Sequence, residues 1–432
     1  MRKYVILLLL SVSMLSSAQT VSYRPTPENL KARKEFSDSR FGIFLHWGLY
    51  SLFGQGEWYM TTHNIDHKEY AKAAQAFYPH RFNAQAWVSA VKEAGAGYIC
   101  FTSRHHEGFS MWNTAQSPYN IMNTPYGKDV VRQLADECHR QGIKLHLYYS
   151  HLDWTREDYP IGRTGRGTGR EPGKADWKSY YDFMNRQLTE LLTGYGEIGA
   201  IWFDGVWDHE GDSIPFDWQL AGQYELIHRL QPACLVGNNH HLTPFEGEDI
   251  QIFERDVPGE NKAGFSGQAV SRLPLETCQT MNGMWGYKVK DQDYKSTSEL
   301  IRLLARTSAK GANLLLNIGP QPDGTLPEAA LQRLSGMGEW LKCYGPSIYG
   351  TEAGGVGDGE KIVSTRKGKT LYLHVLDSGL AEVSVPLTEK VKAATDFRSG
   401  QKLKFRQKDG QLVIPVTVPG NVPDYVLELR LQ

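Results

Sequence analysis

From about Arg40 to Pro346 the chain alternates short β-like runs with longer amphipathic helical stretches. That alternation implies parallel strands joined by helical crossovers, since a tight turn cannot join two parallel strands. The strand-like runs are Phe41–Leu45, Tyr98–Thr102, Lys144–Ser150, Ile198–Phe203, Cys234–Gly237 and Asn313–Ile318. Helical patterns lie between them at Asn83–Ala94, Asp129–Gln141, Lys178–Thr193 and Ser298–Ala309. Roughly 300 residues in one α/β unit is the size of a (β/α)8 TIM barrel with insertions, and an open doubly wound sheet is the competing arrangement. A helix around Leu331–Lys342 closes the region, and Tyr344-Gly345-Pro346 breaks it. Beyond Thr351 the texture changes to alternating strands, as in Thr370–Leu376, Gln411–Val416 and Val426–Leu431, separated by Gly- and Asp-rich turns. This predicts a small C-terminal antiparallel β-sandwich domain. The last strand ends the chain, so that domain is expected to pack against the barrel. The expected organisation is a leader over 1–18, a barrel over 19–347 and the β-domain over 348–432. The Gly/Arg-rich stretch Gly162–Gly173 reads as an exposed loop.

The leader is read from Met1-Arg2-Lys3, the apolar run Val5–Leu10 and Ser16-Ser17-Ala18, the basic, apolar and small-residue regions of a secretory signal. Periplasmic or secreted localisation is therefore expected. The apolar run is too short for a membrane span, and no later stretch reaches the roughly 18 apolar residues one needs. Gln19-Thr20 follows Ala18, with no cysteine to carry a lipid, so no membrane anchor is expected.

With 47 basic against 48 acidic residues the net charge is −1, and no Lys/Arg block appears. The attraction to polyanions that nucleic-acid binding rests on is missing, and a neutral substrate is the natural reading. The five cysteines (Cys100, Cys138, Cys234, Cys278, Cys343) form no CxxC pair and read as buried free thiols. Eleven Trp, 22 Tyr and 14 His suit a sugar site, because a pyranose has one apolar face and several hydroxylated edges.

Polar residues recur at the predicted strand ends: His46, His105 with His106, Tyr148, Asp204, and Asn238 with Asn239. The carboxyl ends of barrel strands form the active-site face, so this recurrence describes one constellation. Within Ile201–Gly205, period-2 geometry puts Trp202 and Asp204 on one side of the strand. A helix-capping Asp is the bland alternative. Cleaving a glycosidic bond takes two carboxylates, and the partners available downstream are Glu246, Glu248, Asp249, Glu254, Asp256, Glu260 and Glu276. Spacing does not choose among them. The histidines are good zinc ligands by type, yet adjacent histidines point apart on a regular strand and no helical pair completes a metal pattern. Neither metal nor cofactor is expected.

Seven segments together resemble the α-L-fucosidases of glycoside hydrolase family 29. They are Arg40–Gly48, Gly56–Tyr59, Arg104–Phe109, Tyr148–Ser150, Trp202–Gly205, Met284–Tyr287 and Leu315–Pro320, in family order and covering nearly the whole barrel. The resemblance implies a retaining exo-fucosidase acting on a fucosylated oligosaccharide or glycoconjugate, with Asp204 as nucleophile. It implies sugar contacts from His46, Glu57, Trp58, His105, His106, Tyr148 and Trp202, with Trp285 in a further matching segment. It places the acid/base at Glu254, at the end of Gly247–Glu254, with Glu260 or Glu276 as alternatives. Where relatives carry Asn-Asp-Arg this chain reads Asn238-Asn239-His240, so His240 or Arg255 is left to replace the arginine. A glycan-binding barrel without catalysis, and a retaining glycosidase for a related sugar such as an α-galactoside, are the competing readings.

Overall fold

The computed structural model describes residues 23–420 and 422–432, so the predicted leader lies outside the described residues. Eight parallel strands form one sheet: β1 (Phe41–Leu45), β2 (Tyr98–Arg104), β3 (Lys144–Ser150), β4 (Ala200–Asp204), β5 (Leu235–Asn239), β6 (Gln251–Glu254), β7 (Leu275–Thr280) and β8 (Ala312–Ile318). Their spatial order is β5-β4-β3-β2-β1-β8-β7-β6. The ring closes where the amides of Asp249 and Ile250 both donate to Val236 O, at 2.7 and 3.1 Å. It is a barrel, and the open-sheet alternative falls.

Alternation along the strands builds two cores. Ile43, Leu45, Ile99, Phe101, Leu147, Ile201, Phe203, Leu314 and Leu316 face the outer helices. Phe44, Tyr98, Cys100, Tyr148, Trp202, Ile252, Cys278 and Leu315 fill the barrel interior. Gly42 is required by this interior packing, since a Cβ there would lie 2.3 Å from the Tyr98 ring. Helices at Ala84–Glu93, Val130–Gln141, Trp177–Gly194, Leu220–Leu230, Thr297–Ala309 and Glu328–Tyr344 form the outer layer. The helix Pro27–Ser39 sends Phe36 into the interior cluster at the amino end of the barrel.

Two strands, β6 and β7, escape the sequence reading. Their segments, Gln251–Glu254 and Leu275–Thr280, carry polar residues such as Glu276, Thr277 and Thr280 that are nevertheless buried, so the apolar signal of a barrel strand is absent. The connections β5–β6 and β6–β7 contain no helix. They are long loops instead, and both run to the carboxyl face.

The C-terminal region holds β9 (Glu352–Ala353), β10 (Ile362–Lys367), β11 (Thr370–Val375), β12 (Glu382–Pro386), β13 (Val391–Asp396), β14 (Arg406–Lys408), β15 (Gln411–Pro415) and β16 (Tyr425–Leu431). They form two antiparallel sheets, β13-β16-β11-β10-β9 and β12-β15-β14. Leu373, Val383, Ile414 and Leu429 are among the residues of their shared core. The domain is tied to the barrel by Arg302 Nε donating to Pro423 O at 2.9 Å and by Ala305 packing on Val363 and Leu376. The segment 162–173 is not simply exposed: Gly162, Gly165, Thr168 and Arg170 are buried, because Thr168 Oγ1 donates to Trp154 O and Arg170 to Tyr159 O. Four cysteines are buried thiols, whereas Cys343 is exposed.

Candidate active site

A cavity of about 910 Å³ opens at the carboxyl ends of the strands. Asp204, Glu254, His46, Glu57, Trp58, His105, His106, Tyr148, Trp202 and Trp285 all line it. It lies at the upper end of the size range for ligand sites, large enough for more than one sugar ring.

Asp204 is the last residue of β4. Its Oδ1 accepts from Gly205 N and Trp207 Nε1, each at 2.9 Å, and its Oδ2 accepts from the Tyr148 hydroxyl at 3.0 Å. Gly205 adopts φ +99, which lets the backbone turn directly after the carboxylate. No helix is capped by Asp204, so the capping alternative falls. Burial, then the negative charge of Glu254, push the Asp204 carboxyl up to about 6 against the pull of these donors.

Glu254 ends β6 and meets Asp204 through one amide. Asn239 Nδ2 lies 2.9 Å from Glu254 Oε2 and 3.4 Å from Asp204 Oδ1. The nearest carboxyl oxygens can be no farther apart than those two bonds laid end to end. That bound is compatible with the roughly 5–5.5 Å of retaining glycosidases. His241 Nε2 also bonds Glu254 Oε2, at 3.0 Å. Although burial raises the Glu254 carboxyl, its bonds to His241 and Asn239 hold it below the ordinary glutamate value.

The rival carboxylates are occupied elsewhere. Glu248 binds the Tyr224 hydroxyl and His240, Asp249 pairs with Arg33 and His228, and Asp256 accepts from the amides of Lys262 and Ala263. Glu246 accepts from Tyr23 N, and Glu260 pairs with Arg306 and Lys262. Glu276 is buried inside the barrel, where it accepts from the Tyr98 hydroxyl at 2.6 Å and Trp202 Nε1 at 2.8 Å. None of the six lines the cavity.

Burial favours the neutral form of the His46, His105 and His106 imidazoles, and two of them have fixed tautomers. Asn317 Nδ2 donates to Trp285 O, so its Oδ1 is the acceptor for His46 Nδ1–H at 2.6 Å. Ser150 Oγ donates to Leu152 O, so it accepts from His106 Nδ1–H at 2.7 Å. Both rings thereby keep Nε2 as a lone-pair acceptor, suited to a sugar hydroxyl. Burial pushes His46 down to about 3 and holds His105 and His106 well below the usual imidazole value. His105 and His106 do not point apart. Strand β2 ends at Arg104, so the pair stands in a turn with ring centroids 4.2 Å apart. Glu57, raised by burial, accepts from Gly286 N at 2.7 Å. Trp58 stacks on Trp207, and Trp202 on Tyr148. Among the described residues, no three His, Cys, Asp or Glu side chains converge as a metal-binding group.

The sequence profile of the alpha-L-fucosidases matches residues 10–346, more than half of the chain. The chain belongs to the alpha-L-fucosidase family. It is 28% identical to an alpha-L-fucosidase of Dictyostelium discoideum over 98% of this chain and 97% of that one. Its fold is similar to alpha-L-fucosidase isoenzyme 1 from Paenibacillus thiaminolyticus, with TM-score 0.82, 32% identity, and coverage of 94% of this chain and 100% of that chain. A GH29 alpha-L-fucosidase from Bacteroides thetaiotaomicron superimposes with TM-score 0.80 at 25% identity, over 95% of this chain and 96% of that one. Members of the family are glycoside hydrolases, and this chain is one.

Within this fucosidase barrel, His240 is turned away onto Glu248 and contributes nothing to the cavity wall. Arg255 does line it, with its guanidinium 5.2 Å from the Trp285 ring centre. Sequence reasoning missed Trp207, His241, Arg163, Glu210 and Phe265, which also line the cavity. Trp207, three residues after Asp204, was the one findable from position alone. His241 and Arg255 both carry positive φ, +62 each, a strained backbone of the kind that gathers at functional sites.

Proposed function

We propose that this chain removes terminal α-L-fucose from glycans with retention of configuration, using Asp204 as nucleophile and Glu254 as acid/base. The observation that supports this reading is the Asn239 amide shared by the two carboxyls, because one donor can reach both only when they face each other across a gap compatible with double displacement. Asp204 attacks the anomeric carbon, and the glycosidic C–O bond breaks as the leaving oxygen takes, through Glu254, the proton that Glu254 shares with His241 across their 3.0 Å bond. Glu254, now a carboxylate, deprotonates a water that attacks the same carbon and releases Asp204. His46 and His106 accept hydrogen bonds from sugar hydroxyls at Nε2. Glu57 and His105 meet other hydroxyls, while Trp58, Trp202 and Trp285 meet the apolar face and the 6-methyl group. The substrate is neutral, as the balanced charge of the chain suits.

Proton NMR of the first-formed sugar tests the stereochemistry. Retention requires α-L-fucose to appear before mutarotation, and initial β-L-fucose overturns the reading. The basic, apolar and small-residue regions of Met1–Ala18 support export to the periplasm or medium. Amino-terminal sequencing of the protein from an expressing culture should then read from Gln19, and an intact Met1 terminus counts against it.

A further inference from the structure

Next to the site, but outside it, stand a buried imidazole and a buried carboxylate that the reaction does not use. His240 and Glu248 are 2% and 3% exposed, and neither lines the cavity. Burying such groups is costly unless each is hydrogen-bonded, and their bonds lead to the acid/base.

Glu248 is the anchor. Its Oε1 accepts from the Tyr224 hydroxyl at 2.9 Å, that hydroxyl accepts from Asn238 Nδ2 at 2.8 Å, and Oε2 accepts from Phe245 N at 3.2 Å. His240 Nε2 lies 3.0 Å from Oε1 and 3.2 Å from Oε2. The other ring nitrogen, Nδ1, accepts from Leu242 N at 3.0 Å, so the ring proton sits on Nε2 and is donated to Glu248. The Phe245 ring packs against the imidazole, 4.5 Å between centres. Both edges of the His240 ring are therefore fixed.

A side-chain acceptor bonded to the N–H two residues on closes a turn around the residue between them, as Asp and Asn do in Asx turns. Here the residue between is His241, whose φ is +62, a backbone state unfavoured for any residue with a Cβ. From that position His241 Nε2 reaches Glu254 Oε2 at 3.0 Å, and the ring faces the charges of Glu254, Asp204 and Glu210. Rotation about N–Cα carries the Cβ with it, so a return to negative φ would swing the imidazole off Glu254.

We propose that His240 is a positioning residue for the acid/base: locked between Glu248 and the Leu242 N–H, its ring imposes the left-handed backbone of His241 and so holds the His241 imidazole on Glu254. The assignment rests on the retaining-fucosidase reading with Glu254 as acid/base, and it deepens that reading. His240 acts through His241 and touches no substrate.

Two replacements separate the two edges of the ring. In His240→Gln the amide can reach Glu248 but leaves no acceptor at the Nδ1 position. In His240→Asn, Oδ1 takes the place of Nδ1 and the reach to Glu248 is lost. His240→Gln should lose roughly tenfold more kcat/KM on an α-L-fucosyl galactoside than on an activated aryl fucoside, which needs little protonation. The alkaline limb of its pH profile should move to lower pH. His240→Asn keeps the turn and should keep the alkaline limb of the unaltered protein. A purely structural role would lower the melting temperature and both activities together while leaving the limb in place. Equal losses on the two substrates with an unmoved limb, or no loss on either, overturn the proposal. So does a displaced limb in His240→Asn, which decides alone if His240→Gln does not fold. If the unaltered protein cleaves neither substrate, the fucosidase reading itself fails. An alkaline limb that responds to His241→Gln but not to His240→Gln removes the role of His240 alone.

Discussion

Asp204 and Glu254 come from strands that are not neighbours in sequence, yet Asn239 Nδ2 reaches both, at 3.4 Å from Asp204 Oδ1 and 2.9 Å from Glu254 Oε2. The amide ends β5 and stands between β4 and β6, so it spaces the two carboxyls as well as solvating them. A hydrogen bond to a charged group contributes about 1.5–3 kcal/mol. Asn239→Ala should therefore lower kcat/KM by roughly 10- to 100-fold with little change in melting temperature. Retained full activity would remove Asn239 from the site.

The two carboxyls have opposite roles, and azide distinguishes them. Glu254→Ala should slow natural fucosides by about 10²–10⁴-fold, while an activated aryl fucoside still forms the fucosyl-enzyme. Azide needs no base, so it should attack that intermediate and give α-L-fucosyl azide with a recovered rate. Asp204→Gly with azide should give the β-azide by single displacement. If Glu254→Ala keeps near-normal activity on natural fucosides, the acid/base role belongs to another group.

The pH profile should have two limbs with different owners. Asp204 attacks only as the anion, and its carboxyl stands at about 6, so kcat/KM should fall as the pH drops through that value. His241 loses some basicity to burial, but its bond to Glu254 and the charges of Glu254, Asp204 and Glu210 more than reverse this and raise it above an ordinary imidazole. The His241–Glu254 pair thus keeps one proton after Asp204 has lost its own, and that proton can be delivered from Glu254. Activity should persist up to the raised His241 value and fall above it. In His241→Gln the alkaline limb should move to lower pH and the acid limb to higher pH, because the His241 charge also lowers the Asp204 carboxyl. The profile should narrow from both sides. An unmoved alkaline limb would show that His241 holds no catalytic proton.

Beneath the site, Glu276 supports Trp202 by accepting its indole N–H along with the Tyr98 hydroxyl. Burial pushes the Glu276 carboxyl up from 4.5 to about 7. A raised carboxyl keeps its proton in the folded state, so its contribution to stability is fully present below about 4.5 and is lost as the pH climbs to about 7. Glu276→Gln can still accept from Trp202 and should flatten the fall in melting temperature across that window. Glu276→Ala strands two buried donors, at roughly 1–3 kcal/mol each, and should melt several degrees lower. Parallel melting curves against pH for the unaltered protein and Glu276→Gln would refute the assignment.

Much of this protein is determined by local sequence. Alternation in Phe41–Leu45 and Ile201–Phe203 sends one set of side chains to the helices and the other into the barrel, because successive side chains on a strand point to opposite faces. The same rule puts Trp202 and Asp204 together at one rim, and it collects His46 and Tyr148 beside them. The partner of Asp204 obeys no such rule. Seven carboxylates lie between the end of β5 and the end of β7, and their fates depend on how two helix-free loops travel: Glu248 and Asp249 turn to Tyr224 and Arg33, while Glu254 is carried to the rim by β6. Strand β6 has four residues and β7 hides Glu276 in the interior, so neither shows an apolar run that could be read beforehand. His105 and His106 converge only because β2 stops one residue earlier. His241 and Phe265 stand on the two loops that flank β6, 24 positions apart, and the contact is set by Asp256, Asn261 and Ser266 holding the chain in place. Period and polarity act between neighbours along the chain, whereas these contacts arise from loop paths that close only when the whole barrel is formed.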